Sequence, residues 1–182
     1  MKQALSIVAL AVVLFAARRA GAVEGRGDVE SDHIDATDDG GPRTAGILVD
    51  PLLMAMGWLG AEFDAACGEH VVITAEGNGR FFGGVRGFRA RVGLAIFRQR
   101  FAFHGLYVHP TFEWERATAA GLTGRGIVGA ITIGYDWTWI SGLTVRLGAG
   151  MGYARGTLND GLAVFTSAGW SPAFDTNVGW VF

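Results

Sequence analysis

Lysine is almost missing from this chain: Lys2 is the only one among 182 residues, so every later positive charge is an arginine. We read this as a compositional bias rather than a functional choice. Cysteine is equally scarce. The single Cys67 excludes an intramolecular disulfide, so stability has to come from hydrogen bonding and packing. No Cys/His spacing suits zinc, no Walker sequence is present, and no basic patch suits nucleic acid. Beyond the first residues no apolar run reaches 18, which excludes a membrane-spanning helix from the rest of the chain. What remains is half hydrophobic, with 29 Gly and 12% aromatic residues. Few charges with many Gly and aromatics suit strands better than helices.

The N-terminus reads as an export signal. Met1-Lys2-Gln3 is a positive start, 4–17 is an apolar run, and Ala20-Gly21-Ala22 fits the small-residue cleavage rule. The run is too short to span a bilayer, which takes about 20 residues. Arg18-Arg19 follow the run instead of preceding it, which excludes a twin-arginine signal, and no Cys follows to accept a lipid. Residues 1–22 are therefore expected to be a signal peptide for the general secretory route.

Residues 23–44 differ in kind. Glu24, Asp28, Glu30, Asp32, Asp35, Asp38 and Asp39 stand against Arg26 and Arg43, with almost nothing bulky to bury. This predicts a flexible acidic leader. From Ala45 onward acids and arginines balance, which puts a domain boundary near Thr44 and one domain over 45–182.

Within 45–182, period-2 alternation recurs between Gly-rich turns. The pattern predicts eight strands over 45–54, 57–67, 70–76, 84–97, 105–116, 124–139, 142–155 and 169–182. Several exceed the 9–11 residues of a tilted membrane strand. In 106–115 one parity reads Leu, Val, Pro, Phe, Trp and the other Tyr, His, Thr, Glu, Glu. The last strand sets Trp170, Pro172, Phe174, Thr176, Val178, Trp180 and Phe182 against Ser171, Ala173, Asp175, Asn177, Gly179 and Val181. The predicted class is all-β, an eight-stranded antiparallel up-and-down transmembrane β-barrel. With the N-terminus in the periplasm, the longest loop (156–168) faces outward, as bacterial barrels prefer. Pro51, Pro110 and Pro172 are each expected to forfeit a ladder hydrogen bond.

Parity then assigns the faces. Arginines turned to lipid would cost up to about 2–4 kcal/mol each at mid-bilayer. The polar parity is therefore expected to point inward, with Asp50, Glu62, Asp64, Glu113, Asp136 and Asp175 pairing with Arg89, Arg91 and Arg146 in a network that fills the lumen. On the apolar parity, Trp137, Trp139, Trp180 and Phe182 predict a periplasmic aromatic girdle, with Trp114 and Tyr153 toward the opposite rim. Arg86, Arg116, Arg125 and Arg155 share that parity at the extracellular ends, where a guanidinium can bind lipopolysaccharide phosphate.

The run Arg91-Val92-Gly93-Leu94, then Gly105-Leu106-Tyr107-Val108-His109-Pro110, Gly134-Tyr135-Asp136-Trp137, Gly142-Leu143-Thr144-Val145 and Gly179-Trp180-Val181-Phe182 resembles small outer-membrane β-barrel proteins of OmpA/OmpX-like architecture. The resemblance covers 45–182. It implies an eight-stranded barrel, an outer-membrane location, and a C-terminal aromatic strand read by the assembly machinery, matched here by Val178, Trp180 and Phe182. No cofactor, metal or nucleic-acid partner is expected, and a monomer is. No peptidoglycan-binding segment follows Phe182, a departure from full-length OmpA.

Other motifs give little. PagL-type lipid A deacylases resemble this chain in size and use a His-x-Ser pair. The nearest match, His109-Pro110-Thr111 with Glu113, has Thr for Ser and points to the lumen, away from an acyl ester. A lipid A-modifying enzyme and a soluble lipocalin-like binder are the alternatives to a structural or surface-interaction barrel. Asp35 to Gly40 hints at a calcium loop, but the twelfth position is Gly46 instead of Glu. Arg26-Gly27-Asp28 matches an adhesion tripeptide by chance. Residues 148–152 lie within a strand pattern with no helix after them to form a phosphate loop.

Overall fold

The computed structural model describes residues 43–98, 102–159 and 164–182. The expected signal peptide and the leader up to residue 42 lie outside these described residues. Eight antiparallel strands form one ring-closed sheet: β1 (Ala45–Val49), β2 (Trp58–Ala66), β3 (Val71–Arg80), β4 (Val85–Phe97), β5 (Gly105–Ala119), β6 (Leu122–Thr138), β7 (Leu143–Asn159) and β8 (Val164–Val181). Each strand pairs with its neighbours in chain order, and β1 closes on β8. One short helix, α1 (Pro51–Ala55), interrupts them.

Alternation decides which side chains enter the ring. Along β6, Ile131 and Ile133 are each 58% exposed on the outer surface, while Thr132 between them is 3% exposed in the interior. A slip of one residue would exchange the two faces of a strand, so the pattern fixes the register. That register runs unbroken along β7 and β8, from Leu143 opposite Trp180 to Asn159 opposite Val164.

The ring has two ends. The terminal end carries Thr44, Phe182, the connections 67–70 and 139–142, and residues 102–104 before β5. There the interior is stoppered by Val72, Phe97, Phe103 and Val181. The Arg43 guanidinium donates to the carbonyls of Trp139 (2.7 Å) and Ile140 (2.9 Å). His104 accepts from the Thr138 N–H at 3.4 Å, and partial burial, then nearby Arg43, holds its imidazole below the ordinary range. The distal end carries α1, the 81–84 connection and the tight β5–β6 turn. In that turn Ala120 (φ +48°) and Gly121 (φ +85°) both adopt positive φ, as a two-residue hairpin of matched twist requires.

Several boundaries depart from the sequence reading. The expected first strand, 45–54, stops at Val49. Asp50 caps α1 through its carboxylate, which accepts from the Leu53 N–H at 3.0 Å, and Pro51 occupies the first turn, where its missing N–H costs nothing. The third strand continues past 76 to Arg80. The predicted outer loop 156–168 is mostly strand, since β7 runs to Asn159 and β8 begins at Val164. Thr and Gly there were legible as loop residues, but the β7–β8 ladder carries them. Pro110 does interrupt a ladder, because Leu94 and Ala95 have no β5 partner. Pro172 forfeits nothing to β7: Val181 N–H donates to Gly142 and Phe182 N–H to Ala45, so even-numbered residues of β8 face away from β7.

Replacing Asp50 by Ala removes both the α1 cap and the acceptor of the Thr176 hydroxyl bond (2.7 Å). We expect a loss of about 0.5–2 kcal/mol in equilibrium unfolding with faster proteolysis in 51–57, and a smaller loss for Asp50→Asn. Identical stability in Asp50→Ala would refute the capping role.

Candidate functional site

The interior holds a belt of charge built by cross-strand register. On β7 Arg146 stands directly opposite Asp136 of β6 and reaches across the ring to β2. Its Nε lies 3.2 Å from Asp136, Nη1 2.6 Å from Glu62, and Nη2 2.7 Å from Asp64. Arg146 has no solvent exposure. On β4 Arg91 stands between Glu76 of β3 and Glu113 of β5. It pairs with Glu76 (2.5 Å) and Glu62 (2.8 Å), so Glu62 bridges the two guanidiniums. Arg89 takes Glu113 as a flanking pair at 2.5 Å. The contacts of Arg91 with Glu62 and of Arg146 with Glu62, Asp64 and Asp136 are also hydrogen bonds; such charge-assisted bonds are strong, and their burial makes a lost partner expensive.

Asp175 of β8 organises the other side. Its Oδ2 accepts from the Tyr107 hydroxyl (2.9 Å) and lies 2.7 Å from His109 Nδ1. Asn177 Nδ2 donates to both Asp175 (3.0 Å) and Glu62 (3.2 Å). The Tyr107 ring lies 5.6 Å from the Arg146 guanidinium carbon, a cation–π distance. Room for its hydroxyl comes from Gly134 and Gly148, opposite each other on β6 and β7, where a Cβ would lie 2.6 and 2.5 Å from it.

Of the residues expected in a lumenal network, the structure joins Glu62, Asp64, Arg91, Asp136, Arg146 and Asp175, with Arg89 and Glu113 as a separate pair toward the distal end. Asp50 is not part of it, because the chain turns into α1 there and its carboxylate is spent on Leu53 and Thr176. Glu76 was missed, and so were the roles of Tyr107 and His109 as polar partners. Glu76 and Asn78, which donates to it, share the inward parity of β3; ending that strand at 76 concealed Asn78, the partner that holds Glu76 in place.

The motif around His109 gains a different partner from the one its spacing suggests. His109 Nε2 lies 3.0 Å from Thr74 Oγ1 rather than meeting Thr111. Thr74, His109 and Asp175 thus form a hydroxyl–imidazole–carboxylate chain, the order an activated nucleophile needs. Both Thr74 and His109 are fully buried, however, and Thr74 is not on the wall of the cavity of about 280 Å³ that opens toward the distal end. We read the chain as interior packing. Among the described residues no His/Cys/Asp/Glu group is arranged to hold a metal ion.

On the outer surface Arg86, Arg116, Arg125 and Arg155 are all exposed near the distal end. Arg116 and Arg125 are direct cross-strand partners on β5 and β6. Trp137, Trp139, Trp180 and Phe182 are exposed at the terminal end, and Trp114, Tyr153 and Trp170 toward the distal end. Val178 and Trp180 lie where β8 meets β1. No family model, curated protein or solved structure matches the chain.

Among the described residues, the six carboxylates of the belt and its flanking pair (Glu62, Asp64, Glu76, Glu113, Asp136, Asp175) meet the guanidiniums of Arg89, Arg91 and Arg146, so acid is in excess there. Removing an arginine should therefore hurt more than neutralising an acid. We expect Arg146→Met to lose about 3–5 kcal/mol in denaturant unfolding, because buried Asp64 and Asp136 lose their guanidinium and Glu62 loses one of two, and Asp64→Asn to lose much less. Equal losses would contradict this charge balance.

Proposed function

We propose that this chain is an eight-stranded transmembrane β-barrel of a Gram-negative-type outer membrane, of OmpA/OmpX-like architecture, with a structural or surface-interaction role and no catalytic one. One observation carries the reading: the molecule is inside out. Its interior is ionic, while Phe63, Phe112, Ile131, Ile133, Met151 and Phe174 are each more than half exposed on the outer surface. Natural soluble proteins seldom expose apolar area on this scale, and a lipocalin-like binder would turn it inward. An apolar band about 25 Å tall between aromatic girdles is what a bilayer requires.

The terminal end is then periplasmic and the distal end extracellular. Residues 1–22 act as the signal peptide for general secretion, 23–44 as an acidic periplasmic leader. Val178, Trp180 and Phe182 form the C-terminal signal for the outer-membrane assembly machinery. Side chains fill the interior, which argues for a plugged barrel over a conducting pore. Within one bilayer the protein acts as a monomer, with no cofactor and no nucleic-acid partner.

The distal arginines fit lipopolysaccharide phosphate. Like charges directly opposite each other destabilise a sheet, as Arg116 and Arg125 are, and a bridging phosphate relieves that repulsion through bidentate contacts. Arg86 and Arg155 extend the row along β4 and β7.

Fractionation and gel mobility test the barrel. The protein should partition with outer membranes and migrate differently before and after boiling. Ile133→Arg should lower its stability in vesicles by about 2–4 kcal/mol. Recovery as a water-soluble periplasmic protein indifferent to Ile133→Arg would sink the proposal. For the rim, replacing Arg86, Arg116, Arg125 and Arg155 together by Ala should reduce lipopolysaccharide co-purification; unchanged co-purification and unchanged thermal stability would end that part alone.

A further inference from the structure

Strand β8 is much longer than the strand that closes the ring against it. Its pairing with β7 runs from Val164 to Trp180, but its pairing with β1 covers only Val178 to Val181. Among the described residues, no strand covers the other edge of β8 from Val164 to Phe174; α1 and its cap lie toward the Pro172 end, where Asp50 accepts from the Thr176 hydroxyl. The backbone directions established above turn even-numbered residues toward that open edge. Val164, Thr166, Ala168 and Trp170 therefore each present a free N–H and C=O, and Pro172 ends the row with a C=O alone. Proteins usually blunt such an edge with charge, yet 164–174 contains no charged residue.

We propose that residues 164–170 form a homotypic interface, pairing antiparallel with the same segment of a second copy about a two-fold axis at Ser167. This register is singled out by the open groups. Val164 faces the partner's Trp170 and Thr166 faces the partner's Ala168, and every free N–H and C=O in the row finds a mate. Moving the register two residues toward the C-terminus sets Pro172, which has no N–H, against Val164. In the proposed register Trp170, 70% exposed, lies against Val164, 64% exposed, on one continuous face. Tyr153 already holds Trp170 in place with an edge-on contact at 5.5 Å. No like charges oppose each other across the axis.

The symmetry has a spatial consequence. Antiparallel pairing of a strand with its own copy puts the two-fold axis normal to the sheet, so the two molecules point in opposite directions. Resting on the outer-membrane reading, this orients the copies in facing bilayers instead of side by side in one. The partner is a second copy of this chain on an opposing surface.

Cysteine cross-linking tests the pairing in detergent, whether or not the membrane reading holds. In a Cys67→Ser background, Ser167→Cys lies on the axis in a non-hydrogen-bonded pair with Cα atoms about 4.5 Å apart, within disulfide reach. Mild oxidation should convert most of it to a covalent dimer on a non-reducing gel, whereas Ser171→Cys, on the same face but off the axis, should stay monomeric. Adding Thr166→Pro and Ala168→Pro deletes two open-edge N–H groups without touching the β7 ladder, and should abolish the dimer while circular dichroism retains the sheet signal. If that variant unfolds, Ala168→Arg provides the same block by charge. Equal cross-linking at 167 and 171, or a dimer that survives the block, overturns the interface. So does Ser167→Cys coupling to a cysteine-bearing extended peptide in preference to itself. Vesicles carrying the protein should cluster, and lose clustering with Ala168→Arg. A detergent dimer without clustering overturns the facing-bilayer arrangement, and failure to enter vesicles at all counts against the outer-membrane reading alone.

Discussion

Arg146, without solvent contact and shared among Glu62, Asp64 and Asp136, is the constraint around which the interior is arranged. A buried guanidinium is tolerable only when its donors are matched, so the strands that supply those carboxylates must hold one register. Glu62 then ties Arg146 to Arg91, and Arg91 to Glu76, so the belt spans β2, β3, β4, β6 and β7. Through Asn177 and Asp175 it also reaches β8, beside the seam where the ring closes on the short β1. Four paired residues at that seam are a slender closure, and the Asn177–Glu62 bond ties β8 to β2 across it from inside.

An ionic interior also determines the outer face. With the middle of the interior given to charge, Gly and Thr, and only its terminal end to Val72, Phe97, Phe103 and Val181, most of the large apolar residues are left to the outside. The outer-membrane proposal follows from that distribution rather than from any single motif. The same economy leaves β8 overhanging at the distal end. A strand long enough to pair fully with β7 outruns β1, which Asp50 and Pro51 turn into a helix.

Most of the architecture was legible because its signal is local. Period-2 alternation is written in each strand, and parity alone grouped Glu62, Asp64, Arg91, Asp136, Arg146 and Asp175. What parity does not carry is where a strand stops. The expected first strand ran to 54, so most of α1 read as strand; only Asp50 followed by Pro51 marked a helix start. The expected third strand ended at 76 because Gly77 and Gly79 follow it, whereas β3 carries both to Arg80. Thr157 and Thr166 looked like loop because a long hairpin and a polar loop share a composition. The His109–Thr74 contact joins strands that are not neighbours, and no spacing rule within one strand predicts it.

Alternation along β6 offers the most direct test of the inside-out account. Single spin labels at Ile131, Thr132 and Ile133, in protein reconstituted into vesicles, report collision with dissolved oxygen, which concentrates in lipid. The account predicts high oxygen accessibility at 131 and 133 and low accessibility at 132. Uniform accessibility, or the highest value at 132, would contradict it.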